Sequence, residues 1–127
     1  MFHGLTYTSP TYEVAGVGAF QFRCRFPTDA EMLAYSAEVE QIVEATPADT
    51  PASKGVRSDA RRKIAEAVAT HVLPLIDSMT YNDDVDPDGW KEELTSPDRP
   101  GFVGSMLRAV GFHLFRGATE QSPEVTD

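Results

Sequence analysis

Hydrophobic and polar residues alternate most clearly in the stretch AFQFRCRF at residues 19–26. Successive side chains of a strand point to opposite faces of a sheet, so this alternation predicts a strand with one buried face. On that face we expect a free cysteine to pack as a small hydrophobic residue. Two shorter strands, LTYT at 5–8 and YEVA at 12–15, are predicted to precede it, joined at Ser9-Pro10. The predicted buried face consists of Phe20, Phe22, Cys24 and Phe26.

Helical periodicity replaces this alternation after Pro27. Apolar residues then recur at the spacing of an amphipathic helix, which we predict over about 29–45. Thr28 is expected to cap the first turn, and Glu31 lies three residues later, as a capping box requires. The next stretch, TPADTPASKG at 46–55, is predicted to be a loop because it is rich in Pro, Ala, Thr and Ser.

A second helix is predicted to begin at Arg57 or Ser58, with an apolar stripe that reaches Met79. Pro74 interrupts it, because proline removes a backbone donor and clashes with the preceding turn. We therefore expect a kink or an end near residues 70–73. The basic run at 61–63 would spread around such a helix, so it is interpreted as a solvated face.

The stretch FVGSMLRAVGFHLF at 102–115 predicts a third helix with a broad apolar stripe. Gly104 and Gly111 lie seven residues apart on one side of it. Glycine costs about 1 kcal/mol relative to alanine inside a helix, so both positions suggest close packing or a partner helix. Trp90–Leu94 is predicted to form one helical turn. The candidate partner-binding residues are Phe102, Met106, Val110, Leu114 and Phe115.

Together these elements predict one α+β domain at residues 1–116, followed by a flexible acidic tail at 117–127. A short N-terminal antiparallel sheet is expected to be covered by about three helices.

The charge is −9, from 20 acidic and 11 basic residues. Nucleic acids and anionic membranes are bound by clustered lysine and arginine, so neither is an expected partner. With its one cysteine the chain cannot form an internal disulfide, which fits a reducing cytosol. The N-terminal sequence has no signal-peptide pattern, and no apolar run approaches the about 18 residues that span a bilayer.

The stretch DVDPDGW at 84–90 resembles the start of a helix-loop-helix calcium loop. Asp84, Asp86 and Asp88 occupy positions 1, 3 and 5, and Gly89 follows at position 6. Position 12 holds Thr95, which cannot supply the two oxygens of the usual glutamate. An ordinary acidic turn is the main interpretation, and a calcium site is the alternative.

No arrangement typical of an active site is found in the sequence. His3, His71 and His113 lie far apart and outside any metal-ligand spacing. Phosphate-binding and nucleophile-elbow motifs are also missing from it. We therefore expect a protein that is not an enzyme and needs no cofactor.

The order of elements resembles the small tail assembly chaperones of long-tailed bacteriophages. Many of those proteins end an N-terminal β segment with F-x-F-R-x-P-T, continue with helices, and carry a D-x-D-G turn. The matching phrase here runs from Phe20 to Thr28 with one extra Arg-Phe step, and the turn is Asp86–Gly89. Tyr81 stands where related proteins often have a tryptophan.

This resemblance implies a protein that binds the tape-measure protein and tail-tube subunits in the cytoplasm of the bacterial host. It also implies that a longer frameshifted product is made in many cases. Two alternatives remain at this point: a structural virion component, such as a head-tail connector or tail-terminator-like subunit, and a calcium-dependent interaction module. A homo-oligomer is compatible with all three.

Overall fold

The computed structural model describes residues 4–45 and 54–125, with side chains described for 4–45 and 58–115. These residues form an α+β fold of five antiparallel strands and four helices. The strands are β1 (Thr6–Thr8), β2 (Tyr12–Val14), β3 (Gly18–Arg25), β4 (Ile76–Tyr81) and β5 (Asp84–Val85). The helices are α1 (Asp29–Glu44), α2 (Lys54–Val72), α3 (Trp90–Thr95) and α4 (Gly101–Val125).

Strand β3 is the centre of the sheet. One edge of it pairs with β4, and β1 and β2 pair one after the other along its opposite edge. Ser9 bridges these two short strands, because its N–H donates to the Phe22 carbonyl and its hydroxyl accepts from the Phe22 N–H. The predicted pair of strands joined at Ser9-Pro10 is thus confirmed.

The predicted buried face of β3 is confirmed at three of its four positions. Phe22 and Cys24 are fully buried and Phe20 is nearly so. Phe26 is 48% exposed, so its predicted burial was wrong. The strand ends at Arg25, and Phe26 therefore lies in the connection to α1, outside the alternation of the sheet.

Helix α1 begins as the sequence predicted. The Thr28 hydroxyl accepts from the Glu31 N–H at 3.2 Å, and the Glu31 carboxylate accepts from the Thr28 N–H at 2.8 Å. The same carboxylate forms a two-point ion pair with Arg25, with both N–O distances 2.7 Å. These contacts fix the turn between β3 and α1.

Helix α2 ends at Val72, where Pro74 predicted a break. A 3₁₀ turn, Leu73–Leu75, leads directly into β4. The predicted continuation of the helical stripe to Met79 was wrong, since Met79 is a buried residue of β4 opposite Phe22. The run at 61–63 is exposed as expected, and Arg62 pairs with Asp59 and Glu66.

Two predictions concern the ends of described segments. Most of the predicted loop at 46–55 lies outside the described residues, while Lys54 and Gly55 belong to α2. The backbone of α4 extends to Val125, and the boundary proposed at 116/117 stays a prediction.

The core lies between the inner face of the sheet and the pair α2 and α4. Gly111 lies at the crossing of these helices, where a Cβ atom would be 2.7 Å from Val68 Cγ2 and 3.0 Å from the Val68 carbonyl oxygen. The side of α4 that carries Gly111 therefore packs against α2 of the same chain and has no room for a partner helix. The fully buried side chains of the core are Phe22, Cys24, Val68, Val72, Leu75, Leu107 and Val110.

Candidate functional site

The apolar stripe of α4, which we expected to receive a partner, is mostly interior. Met106, Val110, Leu114 and Phe115 are each at most 5% exposed within the single chain. They pack on the sheet, on α2 and on α1. The contact with α1 is made by Tyr35, whose ring stacks on Phe115 with the ring centroids 4.7 Å apart. The predicted docking face is therefore corrected to a core face, and among the five candidates only Phe102 remains half-buried.

The acidic turn forms a β-hairpin. Asp84 and Val85 form β5 and pair with the end of β4. Asn82 and Asp83, with φ of 48° and 70°, make the two-residue connection that suits the twist of such a hairpin. A helix-loop-helix calcium loop would need residue 84 to leave a helix, so the predicted loop geometry is not formed.

Asp86 stabilises this hairpin through its carboxylate. That group accepts from the Ser78 hydroxyl at 2.9 Å and from the Met79 N–H at 3.0 Å. Both hydrogen bonds favour the ionised carboxylate and hold the pKa of Asp86 below its usual value. The bond from the Met79 N–H contributes more than the bond from the Ser78 hydroxyl. Asp84 and Asp88 are exposed. Among the side chains described, at residues 4–45 and 58–115, no three acidic, histidine or cysteine groups lie closely enough to hold a metal ion.

An open cleft of about 330 Å³ lies beside this hairpin. Four separate segments enclose it: the start of β3, the end of β4, helix α3 and the first turns of α4. Buried apolar side chains form its floor, half-buried side chains its walls, and exposed residues its rim. The floor consists of Phe20, Met79, Leu94, Val103 and Met106, the walls of Tyr81, Pro87, Trp90 and Phe102, and the rim of Val17, Asp88, Glu93 and Pro100.

Aromatic contacts hold the walls of this cleft in place. The Phe20 ring contacts both Tyr81 and Phe102, with ring centroids 4.9 and 5.7 Å away. The Tyr81 hydroxyl donates to the Val17 carbonyl at 2.8 Å, which ties the turn between β2 and β3 to the cleft. Offset and tilted aromatic pairs at these distances are favourable beyond their buried area.

The position of α3, and with it the position of Trp90, is fixed by contacts at both ends of the helix. Gly89 has a φ of 76° and turns the chain into α3 in a conformation that glycine adopts without strain. At the other end, the Arg99 guanidinium donates to the Leu94 carbonyl at 2.7 Å. The half-buried indole is thereby held at the cleft by both ends of a six-residue helix.

The charges at this cleft are negative. Asp88 and Glu93 are exposed at its rim, and no lysine, arginine or histidine is among the lining residues just named. Lys91 lies 5.5 Å from the Trp90 ring centroid and lines a neighbouring depression that shares Trp90 and Leu94 with the cleft. The cleft thus offers an apolar interior with an acidic border, which suits an apolar group next to a positive charge.

A larger groove of about 570 Å³ separates α1 from α2. Its lining includes Ala34, Ala37, Ala45 and Ala60, together with charged side chains, and none of its residues is buried. Small exposed side chains give an incoming group little apolar surface to contact. The cleft at Trp90 is therefore the stronger candidate site.

Cys24 is a core residue, as the alternation of β3 predicted. Its burial, with a smaller contribution from Asp77, raises the pKa of the thiol to about 12. Such a thiol stays protonated at neutral pH, and the thiolate is the reactive form. His113 stacks on Tyr7, and His71 contacts Glu38 at 2.8 Å, so the two described histidines lie in separate surroundings.

Comparison of the chain with protein-family models, with curated proteins and with solved structures gives no match. None of the helices in the described part of the chain is long and apolar enough to cross a bilayer.

Sequence reasoning named Phe102 and Met106 but missed the cleft that they line. The one local sequence feature that pointed to this site was the Gly89-Trp90 pair, in which the chain's one tryptophan directly follows a turn residue. The contributions of Phe20 and Tyr81 could not be inferred, because they depend on the pairing of β3 with β4.

Proposed function

We propose that this protein is a tail assembly chaperone of a long-tailed bacteriophage. In this proposal it binds the tape-measure protein and tail-tube subunits by noncovalent contact in the host cytoplasm. The observation that carries it is the aromatic cleft at Trp90 and Phe102, which is open among the described residues. Aromatic side chains at an accessible, concave site are typical of protein-binding surfaces.

The fold and the charge are compatible with this role. The phrase from Phe20 to Thr28 leads from the central strand into a capped helix, which is the order of elements that the resemblance predicts. A net charge of −9 would keep a complex with a long, partly apolar partner dispersed through mutual repulsion. The D-x-D-G turn supports the proposal in a further way, since it places α3 beside the cleft.

Coexpression tests the proposal. The protein would be produced together with candidate tape-measure and tail-tube proteins of the same phage, and the soluble fraction of each would be measured. We expect more soluble tape-measure protein in its presence, and copurification of the two chains. An unchanged soluble fraction without copurification would contradict the proposal.

Mass spectrometry of purified mature particles separates this role from that of a structural virion component. An assembly chaperone leaves before the particle is complete, so the protein should be missing from mature virions. Its presence there at a fixed stoichiometry would instead support a connector or terminator-like subunit.

A further inference from the structure

We propose that the cleft between α3 and the start of α4 binds an apolar side chain of a basic amphipathic segment from the partner chain. This inference rests on the proposed function and assigns its contact site and the chemistry of its ligand. It replaces the face of α4 that the sequence suggested, because that face is buried in the chain's own core.

The size of the cleft favours a side chain over a free ligand. Pockets that enclose drug-sized ligands occupy about 300–1,000 Å³, and this one, at about 330 Å³, is at the lower limit and open. One or two apolar side chains presented by a helix would fill it. The protein surface that would contact these side chains is already formed. Phe102 is held half-buried against the Phe20 ring, and Trp90 is held half-buried by its place in α3.

The charges define the rest of the ligand. Asp88 and Glu93 border the opening on the side of α3, and both are exposed. An acidic or phosphorylated segment would meet like charges there, and the net charge of −9 would slow its approach. A segment with lysine or arginine beside its apolar residues would be attracted instead. Complementary charge therefore indicates a basic amphipathic helix, bound with its apolar residues in the cleft.

Trp90 provides a direct readout, because it is the only tryptophan of the chain and forms a wall of the cleft. The probe is a synthetic helical peptide with leucines at i, i+3, i+4 and i+7 and lysines at the other positions. One control peptide carries glutamate in place of each lysine, and a second carries alanine in place of each leucine. We expect the first peptide to change the Trp90 fluorescence saturably and both controls to bind at least tenfold more weakly.

Protein variants locate the contact. The double substitution Asp88→Asn and Glu93→Gln should weaken binding about three- to tenfold and reduce its salt dependence, because each exposed ion pair contributes modestly. The matched control, Glu40→Gln with Glu44→Gln on α1, removes the same charge from exposed positions away from the cleft. It should leave the affinity nearly unchanged. Val17→Lys, at a rim position that is 40% exposed, should weaken binding without disturbing the fold.

The possible results are distinct. Equal binding of the glutamate or the alanine peptide overturns the proposed ligand chemistry. An equal loss in the cleft and α1 variants overturns the site, because general charge attraction would then explain binding. A fluorescence change that follows protein concentration, with dimers in sedimentation, assigns the cleft to a second copy and also overturns it. If full-length tape-measure protein still copurifies with the Asp88/Glu93 and Val17 variants at wild-type level, the site fails while the proposed function stands.

Discussion

Asp86 and Met79 exchange two hydrogen bonds across the β4–β5 hairpin. The Asp86 N–H donates to the Met79 carbonyl at 2.7 Å, and the Met79 N–H donates to the Asp86 carboxylate at 3.0 Å. An acidic residue suggested by sequence as a calcium ligand is thus part of a turn that closes the sheet. The same turn leads through Gly89 to α3, so Asp86 also supports the position of the cleft.

Asp86→Asn should lower the melting temperature, because the carboxylate accepts two hydrogen bonds that depress its pKa. A depressed pKa means that the ionised group stabilises the fold above its unfolded pKa of about 3.9. That contribution is lost as pH falls through the lower pKa of the folded state. Thermal melts at neutral and acidic pH measure it. Asp83→Asn, an exposed turn position, is the control, and an equal effect there would contradict the assigned role.

Glu31→Gln should destabilise the connection between β3 and α1. Its hydrogen bonds with Arg25 come first among the causes that lower the pKa of Glu31 to about 2, followed by the bond from the Thr28 N–H. The ionised group therefore stabilises the fold above the unfolded pKa of about 4.3, and this contribution disappears as pH falls toward 2. Urea unfolding should show a difference between variant and wild type of about 1 kcal/mol at pH 7.

That difference should shrink steadily from about pH 4 to pH 2, because the unfolded wild-type chain then takes up a proton at position 31 that the folded chain, with its pKa of about 2, does not. Glu44→Gln, in the last turn of the same helix, provides a control without these contacts. A pH-independent difference would show that the charge of Glu31 is not what stabilises the turn.

Gly111→Ala should destabilise the protein by about 1–3 kcal/mol despite its better helix propensity. The new methyl group would meet the Val68 backbone carbonyl at 3.0 Å, and a backbone atom between packed helices moves only at a cost. At Gly104 the near atom is the guanidinium of Arg108, at 3.2 Å, which can turn away. Gly104→Ala should therefore be neutral or stabilising by up to about 1 kcal/mol. Denaturant midpoints in the reverse order would contradict the packing at α2 and α4.

Met106→Asp should unfold the chain or destabilise it by about 3 kcal/mol or more, since Met106 is 5% exposed and would place an unpaired carboxylate in the core. Ala109→Asp, at an exposed position of the same helix, should remain folded. Circular dichroism and urea titration distinguish the two. A well-folded Met106→Asp protein with weakened partner binding would restore the apolar side of α4 as an interface.

The sequence predicted those elements whose signal is local. The alternation around Phe22, the capping box of Thr28 and Glu31, and the break at Pro74 each depend on neighbouring residues. Strand β4 was missed because Met79 continued the helical spacing of α2, while its strand partner Phe22 is more than fifty residues away. Tertiary pairing decided the conformation there.

The cleft was beyond local patterns for the same reason. Its floor and walls come from β3, β4, α3 and α4 and from Pro87 before α3, which meet only in the folded chain. The apolar stripe of α4 was visible in the sequence, but periodicity cannot tell whether a partner or the chain itself covers it. Phe102 alone among the five predicted contacts keeps a partly exposed side chain at this site.

Site-specific photo-crosslinking tests the central claim most directly. A benzophenone amino acid would replace Val17 at the rim of the cleft, and Glu40 on α1 in a control, in cells that also produce the tape-measure and tail-tube proteins. We expect irradiation to link position 17, but not position 40, to a basic amphipathic segment of the tape-measure protein. Crosslinks from position 40 alone, or none from position 17 while the two proteins copurify, would contradict binding at the cleft.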